Sequence, residues 1–349
     1  MIQEIRIKNY LSFRDEVVLS FEATKDTTFE ECQVVNVTPK VRLLRFALVY
    51  GANASGKSNL LNAMDFLRDF WFDKKSDIDE ETGVVPFLLD TETPNEPSEF
   101  NIKFFVGDKR YWYALVLDDK QVIKEDLYVY NSVQPSLVFS RELDGTASLI
   151  KLNASLVKAN ATIVEQLNVK CLSNMSFFAA RNQVNCSLAY IDEVRDWMKN
   201  NMMPIIEPGT RMFEYAGKQM EKNAELKAYI LDFVHKADYN ITDVYTEREK
   251  VPIPDIVKAS IMEDKDIPEK AKEKMLADNA LERLRTDFQH TVKNKRGEEN
   301  YRLPNSLQSE GTKRTFGIEA AIYEAIKTNG ILPIDEIESS LHPELVEFI

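Results

Sequence analysis

The sequence contains little cysteine and histidine, which limits the kinds of site it can build. Its 349 residues include only three cysteines, without metal-ligand spacing, and three histidines. The six are Cys32, Cys171, Cys186, His235, His290 and His342. No apolar run approaches the ~20 residues that span a bilayer, and the first residues do not resemble a secretory signal. We therefore expect a cytoplasmic protein without a disulfide scaffold, a histidine-built metal site or a membrane span.

The chain is also short of positive charge. It carries 57 acidic and 44 basic residues, a net charge of −13, which argues against a surface that coats nucleic acid everywhere. Two short basic clusters remain, and such clusters are more often solvated loops than DNA contacts. They comprise Lys40, Arg42 and Arg45, and Lys293, Lys295 and Arg296. DNA therefore stays open as a partner, but the composition does not favour it.

A complete phosphate-binding loop lies at residues 51–58, which read Gly-Ala-Asn-Ala-Ser-Gly-Lys-Ser. An apolar run at 46–50 predicts a strand before this P-loop, and residues 59–70 predict a helix after it. In that context the backbone N–H groups and the helix N-terminus bind a nucleotide's phosphates, whereas a chance match in a surface turn lacks these flanks. Lys57 is expected at the β/γ-phosphates and the Ser58 hydroxyl at Mg²⁺. The candidate ATP-binding residues here are Gly51, Asn53, Ala54, Ser55, Gly56, Lys57, Ser58 and Asn59.

Hydrophobic periodicity divides the rest of the chain into β and α regions. Alternating apolar residues predict strands over 2–13 and 17–21, with a loop over 22–40. Period-two alternation with turns at Gly107 and at 118–120 predicts an antiparallel meander over 98–151. The remaining predictions are helices over 152–237, a charged solvent-facing helix over 258–287, and short strands at 288–292 and 300–303.

Two elements near the C-terminus could complete a nucleotide site. The apolar run 330–334 predicts a strand that ends in Asp335 and Glu336, as in a Walker B element: the first carboxylate can hold Mg²⁺ and the second can activate water. Pro333 has no explanation in this strand. Ser309 and Gly311 precede a predicted helix over 315–326, which indicates either a second anion-binding N-terminus or an ordinary serine-capped helix.

The order of these motifs carries a resemblance. Ile-Arg-Ile-Lys-Asn-Tyr-Leu-Ser-Phe precedes the P-loop, and Ser-Glu-Gly-Thr and Ile-Asp-Glu-Ile-Glu-Ser-Ser-Leu-His-Pro follow the meander and the helices. Over essentially its whole length the chain resembles an ABC-type ATPase of the SMC, RecF and OLD-like class. Within that class it is most similar to bacterial AAA-family ATPases of the RloA and abortive-infection kind. The implied fold is an α/β P-loop ABC-ATPase head with an antiparallel β subdomain and an α-helical signature lobe.

The resemblance implies a role for each matched residue. Ser309 and Gly311 match the ABC signature, which contacts the γ-phosphate held by a second subunit, although Gln308 replaces the usual leucine. Asp335 would bind Mg²⁺, and Glu336 and Lys57 would be the catalytic residues. Gln183 is the candidate Q-loop glutamine. The D-loop position is occupied by Ser339, Ser340, Leu341 and His342.

The same resemblance predicts domain boundaries and a missing part. The expected divisions are an N-terminal ATPase lobe with the P-loop (1–97), the β meander (98–151), a helical lobe with a charged insert (152–304), and the signature helix, Walker B and D-loop (305–349). The switch histidine of the class has no counterpart before Ile349. We therefore expect a fragment whose C-terminal lobe, with any nuclease or Toprim domain, lies beyond this sequence.

The predicted activity is ATP hydrolysis with Mg²⁺ in an ATP-sandwiched homodimer. The resemblance suggests the sensor or motor subunit of an anti-phage, abortive-infection system that acts through an effector nuclease or toxin. Two alternatives remain: a RecF-like DNA repair or recombination ATPase, and a nucleotide-switch scaffold that hydrolyses weakly. A GTPase is disfavoured, because the sequence has no Asn-Lys-x-Asp string.

Overall fold

The alternating apolar residues of the first part of the chain form strands of one large sheet. The structure, a computed structural model, describes residues 1–237, 240–264, 267–277, 280–339 and 341. The chain divides into two compact units. Unit 1 comprises residues 1–206 and 328–335, and unit 2 comprises residues 207–327 and 336–349.

Strands in unit 1 outnumber its helices. Its elements in chain order are β1 (Ile2–Lys8), β2 (Val17–Ser20), α1 (Glu30–Gln33), β3 (Val34–Thr38), β4 (Val41–Leu44), α2 (Lys57–Phe70), β5 (Ser98–Val106), β6 (Lys109–Leu117), β7 (Val122–Tyr130), β8 (Ser136–Asp144), β9 (Ala147–Leu152), α3 (Ala161–Lys170), α4 (Phe177–Arg181) and α5 (Ile191–Asn201).

Seven of these strands form one antiparallel sheet in the order β2-β1-β5-β6-β7-β8-β9. The predicted meander is confirmed, and β1 adds to it by pairing with β5, for example Ile5 with Ile102. Apolar residues on the inner face, such as Phe100 and Phe104, are fully buried. Helix α2 packs its apolar stripe into the same core. Burying each such side chain contributes about 1.5–3 kcal/mol, which fixes the helix that follows the P-loop.

A buried ion pair ties the sheet to the segment around α4. Arg141 and Glu125 are fully buried, with Nη1 and Oε2 3.2 Å apart. Arg141 also donates to the carbonyls of Leu172 (2.8 Å) and Ser173 (3.2 Å), and Glu125 accepts the Phe177 N–H at 2.7 Å. Because an unpaired buried charge is costly, these bonds lock the start of α4 onto the sheet.

Two predictions near the P-loop are wrong. Residues 22–40 are not one loop, since α1 and β3 lie within them and β3 pairs with β4. The predicted strand over 46–50 is absent: these residues are not assigned to a strand, and four of their apolar side chains are exposed. A central strand forms only with neighbours to pair with, and no β-bridge to residues 46–50 occurs within the described residues. The exposed side chains are Phe46 (57%), Leu48 (53%), Val49 (42%) and Tyr50 (84%).

The predicted strand before Asp335 is reduced to isolated parallel bridges. Met202 pairs with Ile331 and Ile206 pairs with Ile334. Pro204 and Pro333 lie between the two bridges, and neither has an N–H to donate. The carbonyl of Pro333 still accepts the Ile206 N–H at 3.0 Å. The ladder is therefore interrupted at Pro333, which explains how a proline is accommodated in this strand.

Unit 2 combines helices with a three-stranded sheet. Its elements are α6 (Met212–Lys222), α7 (Ala224–Lys236), β10 (Asp243–Pro252), α8 (Asp255–Glu263), α9 (Glu269–Ala277), β11 (Ala280–Asn294), β12 (Gly297–Pro304) and α10 (Glu310–Thr328). The sheet is antiparallel in the order β10-β11-β12, and Phe213, Phe288 and Phe316 meet in the core.

The predicted helices over 152–237 are confirmed as α3 to α7, and the helix over 315–326 as part of α10. The charged helix over 258–287 is partly wrong. Helices α8 and α9 occupy its first part, but residues 280–287 belong to β11 and pair with β10. Charge patterning is typical of a solvated face in either structure, and pairing with a distant strand decides between them here.

Candidate functional site

The P-loop in unit 1 has the backbone conformation of an anion-binding loop. Ala54 and Gly56 adopt left-handed conformations, with φ of 61° and 94°, and α2 begins at Lys57. A turn of this kind directs successive backbone N–H groups to one side, and the first N–H groups of a helix lack intrahelical partners. The loop and the helix N-terminus therefore present donors and a positive dipole end to an anion.

Both glycines of the motif lie close to neighbouring side chains. A Cβ atom on Gly51 would lie 2.5 Å from the Ser55 hydroxyl oxygen. A Cβ atom on Gly56 would lie 2.8 Å from Cε1 of Phe13 and 2.9 Å from Oγ of Ser12. The loop thus forms a tight cradle: the Ser55 hydroxyl would have to rotate to admit a side chain at Gly51, and the Phe13 ring blocks one at Gly56.

Lys57 lies over this cradle. Its Nζ donates to the carbonyls of Gly51 and Ala52, both at 3.0 Å. A lysine that satisfies itself with neutral carbonyls can exchange them for phosphate oxygens, because charge-assisted bonds are stronger. The residues present therefore fit a nucleotide's phosphate groups.

A turn at the N-terminus supports the P-loop, and the sequence analysis did not find it. Ser12 Oγ accepts a hydrogen bond from Asn59 Nδ2 at 2.8 Å, and Phe13 packs beside Gly56. The turn is held by buried Asn9, which adopts a left-handed φ of 51° and donates to the carbonyls of Thr93 and Glu96, both at 2.8 Å. The only sequence signal was the Asn-Tyr-Leu-Ser-Phe string itself.

Asp335 belongs to unit 1 and is connected there to the P-loop helix. Its N–H donates to the Ile206 carbonyl at 2.9 Å, and the Ile205 N–H donates to Oδ1 of Asp65 on α2 at 3.2 Å. Asp335 is half-buried. The segment that carries it is thus attached to the same helix that carries Lys57 and Ser58.

Glu336 begins the last segment of unit 2 and is exposed. Its φ of 45° is left-handed, which is uncommon for a residue other than glycine or asparagine. Its carbonyl accepts the N–H of Ser339 at 2.8 Å and Nη2 of Arg314 at 3.0 Å. The chain therefore passes from unit 1 to unit 2 between the two neighbouring acids, Asp335 and Glu336.

Ser309 and Gly311 lie at the start of α10 in unit 2. Ser309 Oγ accepts the Thr312 N–H at 3.0 Å, which is the geometry of a serine N-cap. Gly311 is half-buried in the first turn, and its carbonyl accepts the Thr315 hydroxyl at 2.9 Å. Gln308, just before the serine, lies 2.8 Å from Nε2 of His290 through its own Nε2. Ser309 therefore caps helix α10, as one of the two interpretations of the sequence predicts. A capped helix N-terminus still carries a positive dipole end that can attract an anion.

The remaining predicted residues have unequal support. Gln183 is exposed two residues after α4, and its Nε2 lies 3.5 Å from the Ala179 carbonyl. Ser339 and Leu341 lie in the turn after Glu336, where the Leu341 N–H donates to the Glu338 carbonyl at 3.0 Å. Ser340 and His342 lie outside the described residues.

Searches for other kinds of site give negative results. Among the described residues, no group of three or more histidine, cysteine, aspartate or glutamate side chains could hold a metal ion. No helix in the described ranges is long and apolar enough to cross a membrane. All three cysteines are free. Mg²⁺ in phosphate sites is usually held by one or two carboxylates together with the substrate's phosphates, so such a site does not require a preformed cluster of side chains.

The chain was compared with known proteins. The profile of a family described as "AAA domain, putative AbiEii toxin, Type IV TA system" matches residues 46–152 and 206–349. Among solved structures, one titled "Crystal structure of the SmcHead bound to the C-winged helix domain of ScpA" is similar at 12% sequence identity, with a TM-score of 0.42. That similarity covers 99% of this chain and 83% of the other. No curated protein matches the sequence.

Proposed function

Since this chain belongs to the family of AAA domains that includes the putative AbiEii toxins of type IV toxin–antitoxin systems, we propose that it binds and hydrolyses ATP with Mg²⁺. Its P-loop carries the proposal: a complete motif, two left-handed residues and a tight cradle that leaves no room for a side chain at Gly56. Lys57 bridges two carbonyls of this loop and is available to a phosphate.

The proposed chemistry divides among four residues. Lys57 and the backbone N–H groups of the P-loop bind and orient the β- and γ-phosphates. Ser58 and Asp335 would hold Mg²⁺, which neutralises phosphate charge when it is bound. Glu336 orients the attacking water and accepts its proton. Phosphoryl transfer needs little covalent chemistry from the protein, so this positioning and charge neutralisation would be the catalysis.

We further propose that a second copy of the chain completes each site. Ser309 and Gly311 belong to unit 2 and stand at the N-terminus of a 19-residue helix, which suits them to a γ-phosphate. In a two-fold dimer each chain would contribute its P-loop to one site and its signature residues to the other. Loss of the γ-phosphate after hydrolysis would then release the two chains from each other.

A complementation experiment tests this arrangement. Lys57→Ala and Ser309→Ala should each lower turnover by about 100-fold or more, because each removes a group directed at the transferred phosphate. In an equimolar mixture, half of the dimers are mixed, and each mixed dimer has one intact site. Turnover should therefore recover to about a quarter of the wild-type value.

The control mixes either single variant with a double variant that carries both Lys57→Ala and Ser309→Ala. Such a mixture cannot form an intact site, so its turnover should not recover. No recovery in the equimolar mixture, with both variants folded and able to exchange, would show that Ser309 does not act on a partner's nucleotide. Wild-type chain that neither binds nor hydrolyses ATP would refute the basic activity.

For the biological role we propose the sensor or motor subunit of an anti-phage, abortive-infection system with an effector nuclease or toxin. The support is the family description alone, because fold and ATPase chemistry do not specify an output. A RecF-like role in DNA repair predicts instead that the ATP-bound protein binds duplex DNA in a strongly salt-dependent way.

A second candidate function is a nucleotide switch that hydrolyses slowly. The exposed run at 46–50, which has no β-bridge within the described residues, and the interrupted bridges around Pro333 favour it, because both flank residues that must be held still for hydrolysis. ATP binding of ordinary affinity with turnover below about one per minute would support this function.

A further inference from the structure

Arg314 makes an unusual set of contacts in unit 2. It stands in the second turn of α10 and is half-buried. Its Nη1 donates to the carbonyl of Pro208 at 2.9 Å and lies 3.4 Å from that of Glu207, and its Nη2 donates to the carbonyl of Glu336 at 3.0 Å. Guanidinium is a rigid planar fork of donors, so it fixes the relative positions of the groups it binds more firmly than an ammonium does.

The acceptors named above lie at the two places where the chain enters unit 2. Glu207 and Pro208 are the first residues after the chain enters unit 2, and Glu336 is the first residue after it enters unit 2 again. One side chain on the helix that begins with Ser309 and Gly311 therefore holds both entry points.

Glu336 is held in a conformation that costs free energy. A left-handed φ of 45° at a non-glycine residue is disfavoured by about 1–2 kcal/mol. Such a conformation persists only when its surroundings determine it. The Glu336 carbonyl has two donors that do so, the guanidinium of Arg314 and the N–H of Ser339.

We propose that Arg314 is a positioning residue that sets the backbone of Glu336, and hence the direction of its carboxylate, from the signature helix. The inference rests on the proposed roles of Glu336, Ser309 and Gly311. Its consequence is regulatory: a γ-phosphate that orders the start of α10 would also orient the group that activates water. Burial lowers the pKa of Arg314, while the carboxylates of Glu336 and Glu338 oppose this shift, so the guanidinium is an anchored charge rather than a solvated one.

Hydrogen exchange tests the contact without requiring activity. In Arg314→Gln the Ser339 amide, which donates to the Glu336 carbonyl, should exchange at least about fivefold faster, because the turn loses a charge-assisted bond. In Arg314→Lys the exchange rate of the Ser339 amide should lie between those of the wild type and Arg314→Gln, since lysine keeps the charge but not the planar fork of donors. The control is Lys327→Ala, which removes a basic side chain from the last turn of α10, where it pairs with Glu225.

Turnover measured on the same variants tests the role. Arg314→Gln should lower kcat by about tenfold or more with an unchanged KM for ATP. Arg314→Lys should restore part of this kcat, and Lys327→Ala should have the kcat of the wild type. Unchanged exchange in Arg314→Gln, or faster exchange with unchanged kcat, overturns the proposal. Wild-type chain without ATP turnover would refute the proposed function instead, and the exchange result would still report whether Arg314 holds Glu336.

Discussion

Glu319 is an acid in the core of unit 2 whose pKa lies well above its ordinary value. Its side chain lies within α10, is 1% exposed, and interacts with Tyr229 on α7. One of its carboxyl oxygens has no hydrogen-bond partner among the described atoms. Burial therefore raises the pKa of Glu319 to about 7, which means that the folded protein favours the protonated acid.

This shift predicts how the stability of unit 2 depends on pH. The contribution of Glu319 is complete below its ordinary pKa of 4.5 and is lost as the pH rises through about 7, because ionisation must then occur in a buried site. Glu319→Gln, which cannot ionise, should match wild type at about pH 4 and be more stable at about pH 8.5, by up to about 3 kcal/mol. Chemical denaturation at the two pH values measures the difference.

The matched control is Glu214→Gln on α6, where the side chain is exposed. That variant should show no pH-dependent gain. Equal stability differences for Glu319→Gln at both pH values would mean that the acid is not neutral in the folded protein.

Residues of the candidate site differ in how far the sequence could identify them. Lys57 and Ser58 are set by local spacing, because loop and helix are adjacent in the chain. Ser12 and Phe13 support the same loop from more than 40 residues away, and nothing in their own neighbourhood indicates that contact. The sequence could not indicate the contacts of Arg314 for the same reason, because it donates to backbone carbonyls at the distant positions 207, 208 and 336.

At the scale of elements, the P-loop and α2 depend on Gly56. The residue combines a φ of 94° with contacts to Ser12 and Phe13 that leave no room for a side chain. Gly56→Ala should therefore cost about 2–5 kcal/mol of stability in unit 1, since backbone strain and overpacking add. Nucleotide binding should be lost with it, because the cradle must open to relieve the collision.

A matched variant at Gly83 separates the effect of backbone strain from that of overpacking. Its φ of 83° is similarly left-handed, but a Cβ atom there would meet no atom within 4 Å. Gly83→Ala should cost about 1–2 kcal/mol and leave ATP affinity unchanged. Thermal unfolding and ATP titration of both variants measure the two effects; equal costs would mean that the contact with Ser12 and Phe13 does not constrain the loop.

Elements were predictable where their pairing is local. The meander β5 to β9 is joined by short turns, so period-two alternation and turn residues were sufficient. The strand predicted over 46–50, before the P-loop, is wrong. A strand is stabilised by its neighbours, and no β-bridge to these residues occurs in the described part of the chain. Residues 280–287 of β11 were mistaken for helix, because the partner strand β10 begins 37 residues earlier and their charges fit either structure.

At the scale of the whole molecule, the sequence predicted the family but not the division of the chain into two units. The order of motifs indicated an ATPase of the abortive-infection type, and the family match confirms that class. The two units are discontinuous in sequence, and the chain passes from unit 1 to unit 2 between Asp335 and Glu336. No local pattern marks such a crossing, because it depends on which distant residues each acid contacts.

We propose that ATP joins two chains, with Lys57 of one and Ser309 and Gly311 of the other around each γ-phosphate. Glu336→Gln should prevent hydrolysis and preserve this state, because the amide cannot accept a proton from water. The variant with Lys57→Ala added should remain monomeric, since the phosphates are no longer held.

The most direct measurement is the molar mass of the Glu336→Gln variant in solution by light scattering, with and without saturating ATP and Mg²⁺. We expect the mass of one chain without nucleotide and the mass of two chains with it, and the change should reverse when ATP is removed. A variant that binds ATP at saturation and still has the mass of a single chain would contradict it.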